Sequence, residues 1–282
     1  MQWRGRRESG NIEDRRGGGI TGGHVAFGGI GGLIIAAIVY FLGGDPSQVT
    51  QQQNDQTTQN SYADNPNDTL KDYVGVVLAD TEDVWDSLFN NMHKQYVKPK
   101  LVLFSGETQA GCGYASAATG PFYCPEDEKV YIDLSFFNEL HDRFGASNGD
   151  FAMAYVVAHE VGHHVQNLLG ITDKVNQQHN MLSESANNKL SVKLELQADF
   201  LAGVWAHYDQ QMKHVLDAGD INEALSAANA VGDDRLQKES QGRVMPDAFT
   251  HGTSEQRMYW FKKGYTTGDI SQGDTFDDPS LN

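Results

Sequence analysis

The sequence predicts an α+β fold, mostly helical with a small β-sheet, preceded by one transmembrane helix. Three observations predict it. Apolar residues recur at helical spacing over several long segments, two short runs alternate as strands do, and Val25 to Leu42 is an uncharged run, VAFGGIGGLIIAAIVYFL. With 282 residues the chain suffices for one good-sized domain, and its 39% hydrophobic and 21% charged content suits a globular body with polar sequence attached.

Residues 1–24 hold Arg4, Arg6, Arg7, Arg15 and Arg16 against Glu8, Glu13 and Asp14, a basic balance in a chain of net charge -17. This asymmetry predicts a separate cytoplasmic tail, because Arg-rich flanks stay inside. Residues 25–42 would span about 27 Å as a helix, close to the hydrocarbon thickness. No Lys or Arg follows until Lys71, so nothing opposes export of the C-terminal side. A cleaved signal peptide is the alternative, but no A-x-A site follows the run. Gly28 and Gly32 form a GxxxG pair, a weak motif for self-association of membrane helices. Residues 43–68 are rich in Gln, Asn, Asp, Thr and Ser and read as a disordered linker. The folded domain is expected over residues 69–268, with a tail over 269–282. The resulting expectation is a single-pass protein of the cytoplasmic membrane, its N-terminus cytoplasmic and its domain outside. The acidic body excludes nucleic acid and anionic lipid as partners of that domain.

Within the domain, helical spacing covers about Leu70–Met92, with Val76, Val77, Val84, Leu88 and Phe89 as buried positions. Strands are expected at Leu101–Phe104 and Lys129–Leu134. Ser135 starts a short helix ending near Gly145, and Asn148 or Asp150 caps a longer one over Phe151–Leu169, stopped by Gly170. Further helices cover about Lys189–Tyr208 and Ile221–Val231. Thr253 and Gln256 make a capping box for a last helix, about Ser254–Gly264. The two cysteines, Cys112 and Cys124, are expected to pair in an exported protein. Such a bond closes a short loop and adds about 2–3 kcal/mol.

The chemistry concentrates in His159-Glu160-Val161-Gly162-His163, an HExxH motif. Residues four apart share a helix face, so His159 and His163 can offer two imidazoles to one tetrahedral zinc. Glu160 lies about 100° round the helix and can take a proton from a water on the metal. The apolar run FAMAYVVA before the motif suits a buried helix. A third His three turns on is absent, since Gln166 and Leu169 occupy the positions that a longer HExxHxxGxxH motif would need. The third ligand is then a carboxylate. Glu195 and Asp199 lie four apart on a segment whose Leu190, Leu194, Ala198, Leu201 and Trp205 are core residues. Acids in such company need a cation or donors. Glu195 is read as the metal ligand and Asp199 as the acceptor for the far nitrogen of a ligand His. Glu184, in a polar Ser-Glu-Ser setting, is the competing ligand. His251, on a Gly-containing loop, is read either as an oxyanion donor or as a local helix contact. Arg257 is read as structural or as the partner of a site acid, and His164 as a neighbour that points away from the metal.

Four segments carry a family resemblance: CGYASAATGPFYCPEDEKVYIDLSFF, YVVAHEVGHHVQNLLG, ELQADFLAGVWAHY and HGTSEQRMYWF. In order and spacing they resemble the bacterial neutral zinc metallopeptidases across nearly all of residues 70–265. The resemblance implies a zincin-like domain holding one zinc through His159, His163 and Glu195, with Glu160 as catalyst and a peptide or protein as substrate. A zinc-stabilised scaffold without turnover is the other reading, and the intact Glu160 argues against it. In zincins a strand edge lies along the cleft, so the strand Lys129–Leu134 is expected to border the metal with one edge free.

Overall fold

The computed structural model describes residues 1–16, 68–179 and 181–281. The apolar run 25–42, its GxxxG pair and most of the polar linker lie outside the described residues. Among the described residues no helix is long and apolar enough to cross a membrane.

Two layers make up the body. One is a helical layer built on four long helices. Helix α1 (Thr69–Asn91) starts at an Asp68 cap. Its predicted core positions Val76, Val77, Val84, Leu88 and Phe89 are all buried. The other layer is a four-stranded sheet in the order β1-β2-β6-β5. Strands β1 (Ile12–Asp14), β2 (Lys100–Phe104) and β6 (Lys129–Asp133) run parallel, and β5 (Phe122–Cys124) is antiparallel to β6. Strands β3 (Glu107–Ala110) and β4 (Gly113–Ser116) form a separate hairpin. Cys112 and Cys124 are joined in a disulfide that ties this hairpin to β5.

Short helix α2 (Phe136–Asp142) leads to α3 (Asp150–Leu168), which carries the HExxH motif. No side chain at its own N-terminus caps α3. The Phe151 N–H instead donates to Glu223 Oε2 at 3.0 Å. That carboxylate stands where a Cβ on Gly149 would collide with it, 2.0 Å from Glu223 Cδ. The expected Asn148 or Asp150 cap is thus replaced by an acid from a distant helix. Then follow α4 (Ile171–His179), α5 (Glu184–Lys213), α6 (Asp220–Ala230), α7 (Asp233–Gln241) and α8 (Ser254–Thr267). The Thr253–Gln256 capping box forms as expected.

Glycines set the helix spacing around the site. A Cβ on Gly162 would lie 2.9 Å from Ala198 O, so α3 and α5 meet backbone to backbone within the HExxH motif. A Cβ on Gly264 would lie 2.0 Å from Phe200 O, which brings α8 equally close to α5. Any larger residue would push these helices apart and with them the side chains they aim at one point.

Three expectations need correction. Residues 1–16 are no separate tail: β1 pairs with β2, and Arg6, Arg7 and Arg16 bond to acids of α1 or its cap. Arginine-rich sequence reads as a free flank only when its acidic partners are not in view. Residues 269–281 also pack on the body, with Thr275 fully buried and its Oγ1 donating to Lys193 O at 2.6 Å. Finally, β6 has no free edge, because β2 and β5 cover both its sides. The three-residue β5 takes the outer position.

Candidate metal centre

Helix geometry places His159 and His163 on one face of α3, with ring centroids 4.8 Å apart. Helix α5 crosses at Gly162 and delivers Glu195 between them. Glu195 Oε2 lies 3.2 Å from His159 Nε2, and Oε1 lies 3.4 Å from His163 Nε2. One ligand atom from each of the three residues lies within 4.8 Å of the others. Glu184 sits exposed at the first turn of α5 and has no part in this cluster.

Both imidazoles are oriented from behind. His159 Nδ1 donates to Asp199 Oδ1 at 2.8 Å, as expected for Asp199. His163 Nδ1 donates to Gln166 Oε1 at 2.9 Å. Gln166 is in turn fixed by donating from Nε2 to Leu194 O at 2.7 Å. Each Nδ1 is therefore engaged, and each Nε2 is left as the ligand atom. The donor set of two imidazoles and one carboxylate fits a zinc ion with one position left for water or substrate.

Asp199 has no exposed surface, yet it is well supplied with donors. Beyond His159 it accepts from Tyr155 Oη at 2.5 Å, Arg257 Nε at 2.8 Å and Arg257 Nη2 at 3.0 Å. Burial raises its pKa, but Arg257 and His159 more than offset that and hold it at about 2. Burial lowers the pKa of His159, whereas Asp199 and Glu195 push it up, to about 10 without a metal. For Glu195, burial raises the pKa and the two histidines bring it well below the usual carboxylate range. A metal entering this cluster therefore displaces a proton, and its affinity rises with pH.

Glu160 is buried and lines the same cleft, whose volume is about 790 Å³. Its burial raises its pKa above the ordinary carboxylate value. His251 also lines this cleft. Its Nδ1 donates to Asp233 Oδ1 at 3.1 Å, and Asp233 Oδ2 accepts from the backbone N–H groups of Thr250, His251 and Gly252 at 2.6–3.0 Å. Burial lowers the His251 pKa, but Asp233 outweighs that and the net shift is upward. His164 lies apart from the cluster. It accepts from Tyr123 Oη through Nδ1 and donates from Nε2 to Val97 O, tying α3 to β5 and to the chain before β2.

Sequence reasoning named His159, Glu160, His163, Glu195, Asp199 and His251, and the structure brings these residues together. Sequence reasoning missed Tyr155, Gln166 and Asp233, and left the partner of Arg257 open. Tyr155 precedes His159 by four residues and so shares its helix face, the one local clue to its role.

Two imidazoles and one carboxylate on two crossing helices, with a glutamate beside the first histidine, make a candidate metal centre of the HExxH kind with Glu195 in the position of a third ligand. The chain belongs to the family described as "Putative neutral zinc metallopeptidase", whose profile matches residues 1–276. It is 50% identical to uncharacterized protein YpfJ of Escherichia coli over 98% of this chain and 99% of that protein. It is 44% identical to uncharacterized protein Rv2575 of Mycobacterium tuberculosis over 72% of this chain and 71% of that one. No solved structure matches it.

Proposed function

We propose that this protein is a peptidase that binds one zinc per chain through His159, His163 and Glu195 and hydrolyses peptide bonds in peptides or proteins outside the cytoplasmic membrane. One observation carries the reading: Glu160 opens into the same cleft as the three converging ligand atoms. Zinc, when bound, supplies Lewis acidity that polarises a carbonyl and makes a water easier to deprotonate. Glu160 takes the proton of the attacking water and passes it to the leaving amine. A raised pKa suits both halves of that transfer. His251, with Nδ1 held by Asp233 and its cationic form favoured, offers Nε2 to the oxygen that becomes negative at the tetrahedral stage.

Strand β5 is the surface on which the substrate backbone lies. Phe122 and Tyr123 line the cleft, and β5 has no strand on its outer side among the described residues. An extended peptide added there is held by main-chain bonds that ignore side-chain identity, so cleavage is broad in sequence. Glu126, Glu139 and Asp173 also line the cleft and disfavour acidic substrates.

The test is a cell-envelope extract treated with the purified protein or its Glu160→Gln variant, with new N-termini read by mass spectrometry. The variant keeps every ligand and loses only the base. Cleavage should fall by about 10²–10⁴-fold. Equal cleavage by both proteins would remove Glu160 from the chemistry.

A further inference from the structure

A single crossing by residues 25–42 would place residues 1–24 on one side of a membrane and the domain on the other. The packing of residues 1–16 is incompatible with that. We infer that residues 1–16 and residues 68–281 occupy the same side of any membrane the protein meets. The inference is independent of the proposed chemistry.

Residues 1–16 act as a strap that the domain needs. Buried Glu82 of α1 accepts from Ser9 Oγ and, at 2.8 Å, from Asn11 Nδ2, while Arg7 Nη1 lies 3.3 Å from its other oxygen. Buried Asp80 pairs with Arg6 at 2.6 Å, and Arg7 pairs with Asp83 at 2.6 Å. Removing the strap would strip buried carboxylates of partners, which is costly. It would also uncover β2, whose Leu101, Val102 and Leu103 have no exposed surface. The strap reaches the metal helix as well: Trp3 Nε1 donates to Asp150 Oδ2 at 3.0 Å, at the first residue of α3. The family match spans residues 1–276 and so includes the strap.

The ends of the intervening segment fix the topology. Arg16 pairs with Asp68 at 2.5 Å, and Lys71 with Asp14 at 3.3 Å. Residues 16 and 68, which flank the intervening sequence, thus lie at one place on the domain. A single crossing would separate those two points by about 30 Å of hydrocarbon. A second, returning crossing has no sequence to make it, because residues 43–67 contain Asp45, Asp55 and Asp64 among many Gln and Asn.

The test uses the full chain in Escherichia coli spheroplasts, with one added cysteine per variant. Gly10→Cys marks the strap, where a Cβ meets nothing within 4 Å, and Arg4→Cys marks it a second time. Met212→Cys, at an exposed site near the end of α5, marks the domain. The native cysteines are paired and silent. A membrane-impermeant maleimide is applied before and after permeabilisation. Matching labelling of all three positions before permeabilisation upholds the shared side. Matching protection of all three until permeabilisation also upholds the shared side. Labelling of residue 212 alone before permeabilisation, with residues 4 and 10 reacting only afterwards, overturns the inference.

Discussion

Asp199 and Asp209 lie on the same helix, α5, and neither has any exposed surface. Their environments differ in every other respect. Asp199 accepts hydrogen bonds from Tyr155, His159 and Arg257 and has a pKa of about 2. Among the described residues neither oxygen of Asp209 has a hydrogen-bond partner, and Lys213 Nζ lies 3.8 Å away. Burial, with neighbouring Asp80, pushes Asp209 up to about 7. Burial alone therefore does not set the charge of an acid; the donors brought to it do. At the metal end the fold spends three side chains from α3 and α8 on keeping one carboxylate ionised, because that carboxylate aims His159. At the far end the same helix tolerates a carboxyl that keeps its proton near neutrality.

The contrast can be broken most severely at Arg257. Arg257→Met removes the cation from Asp199 and leaves a buried charge short of donors. Loss of one partner in a buried pair costs about 3–5 kcal/mol, which denaturant unfolding would read. A loss under about 1 kcal/mol would mean that Tyr155 and His159 suffice.

Asp199→Asn tests the other consequence. The amide has nearly the same shape but no charge, so His159 is less basic and less firmly oriented. Zinc affinity should fall by about 10–100-fold in a competitive chelator titration. Unchanged affinity would make Asp199 a purely structural group.

At Asp209 the expected effect has the opposite sign. Asp209→Asn should stabilise the protein above about pH 7, raising Tm by about 2–4 °C for each kcal/mol gained. The folded pKa of about 7 exceeds the ordinary 3.8. Below pH 3.8 both states carry the proton, and the substitution changes little. As pH rises towards 7 the unfolded carboxyl ionises while the folded one does not, so the parent steadily loses stability that the variant keeps. Tm profiles of parent and variant that run parallel from pH 4 to 8 would contradict this.

The same contrast explains which parts of the molecule can be read from the chain alone. His159, His163 and the Glu195–Asp199 pair are legible because each pair obeys one helical period. Helix α1 is legible for the same reason, and the Thr253 capping box because it closes within three residues. The acceptors that complete the site depend on contacts between elements. Asp233 meets His251 from α7, and Gln166 is fixed by a carbonyl of α5. Strand β5 has three residues and a sheet partner that any reading would take first. The strap is hidden more deeply. Ile12 is its single strand-like apolar residue, and its arginines look like a solvated flank until Asp80 and Glu82 are seen buried opposite them.

If one zinc is held by His159, His163 and Glu195, the metal content of the protein and two variants will show it. The full chain, Glu195→Ala and Glu184→Ala are purified side by side without chelator, and zinc per chain is measured by elemental mass spectrometry. About one zinc is expected in the parent and in Glu184→Ala, with most of it lost from Glu195→Ala, which lacks one of three ligands. Full zinc retention by Glu195→Ala, with loss in Glu184→Ala, would contradict this ligand set.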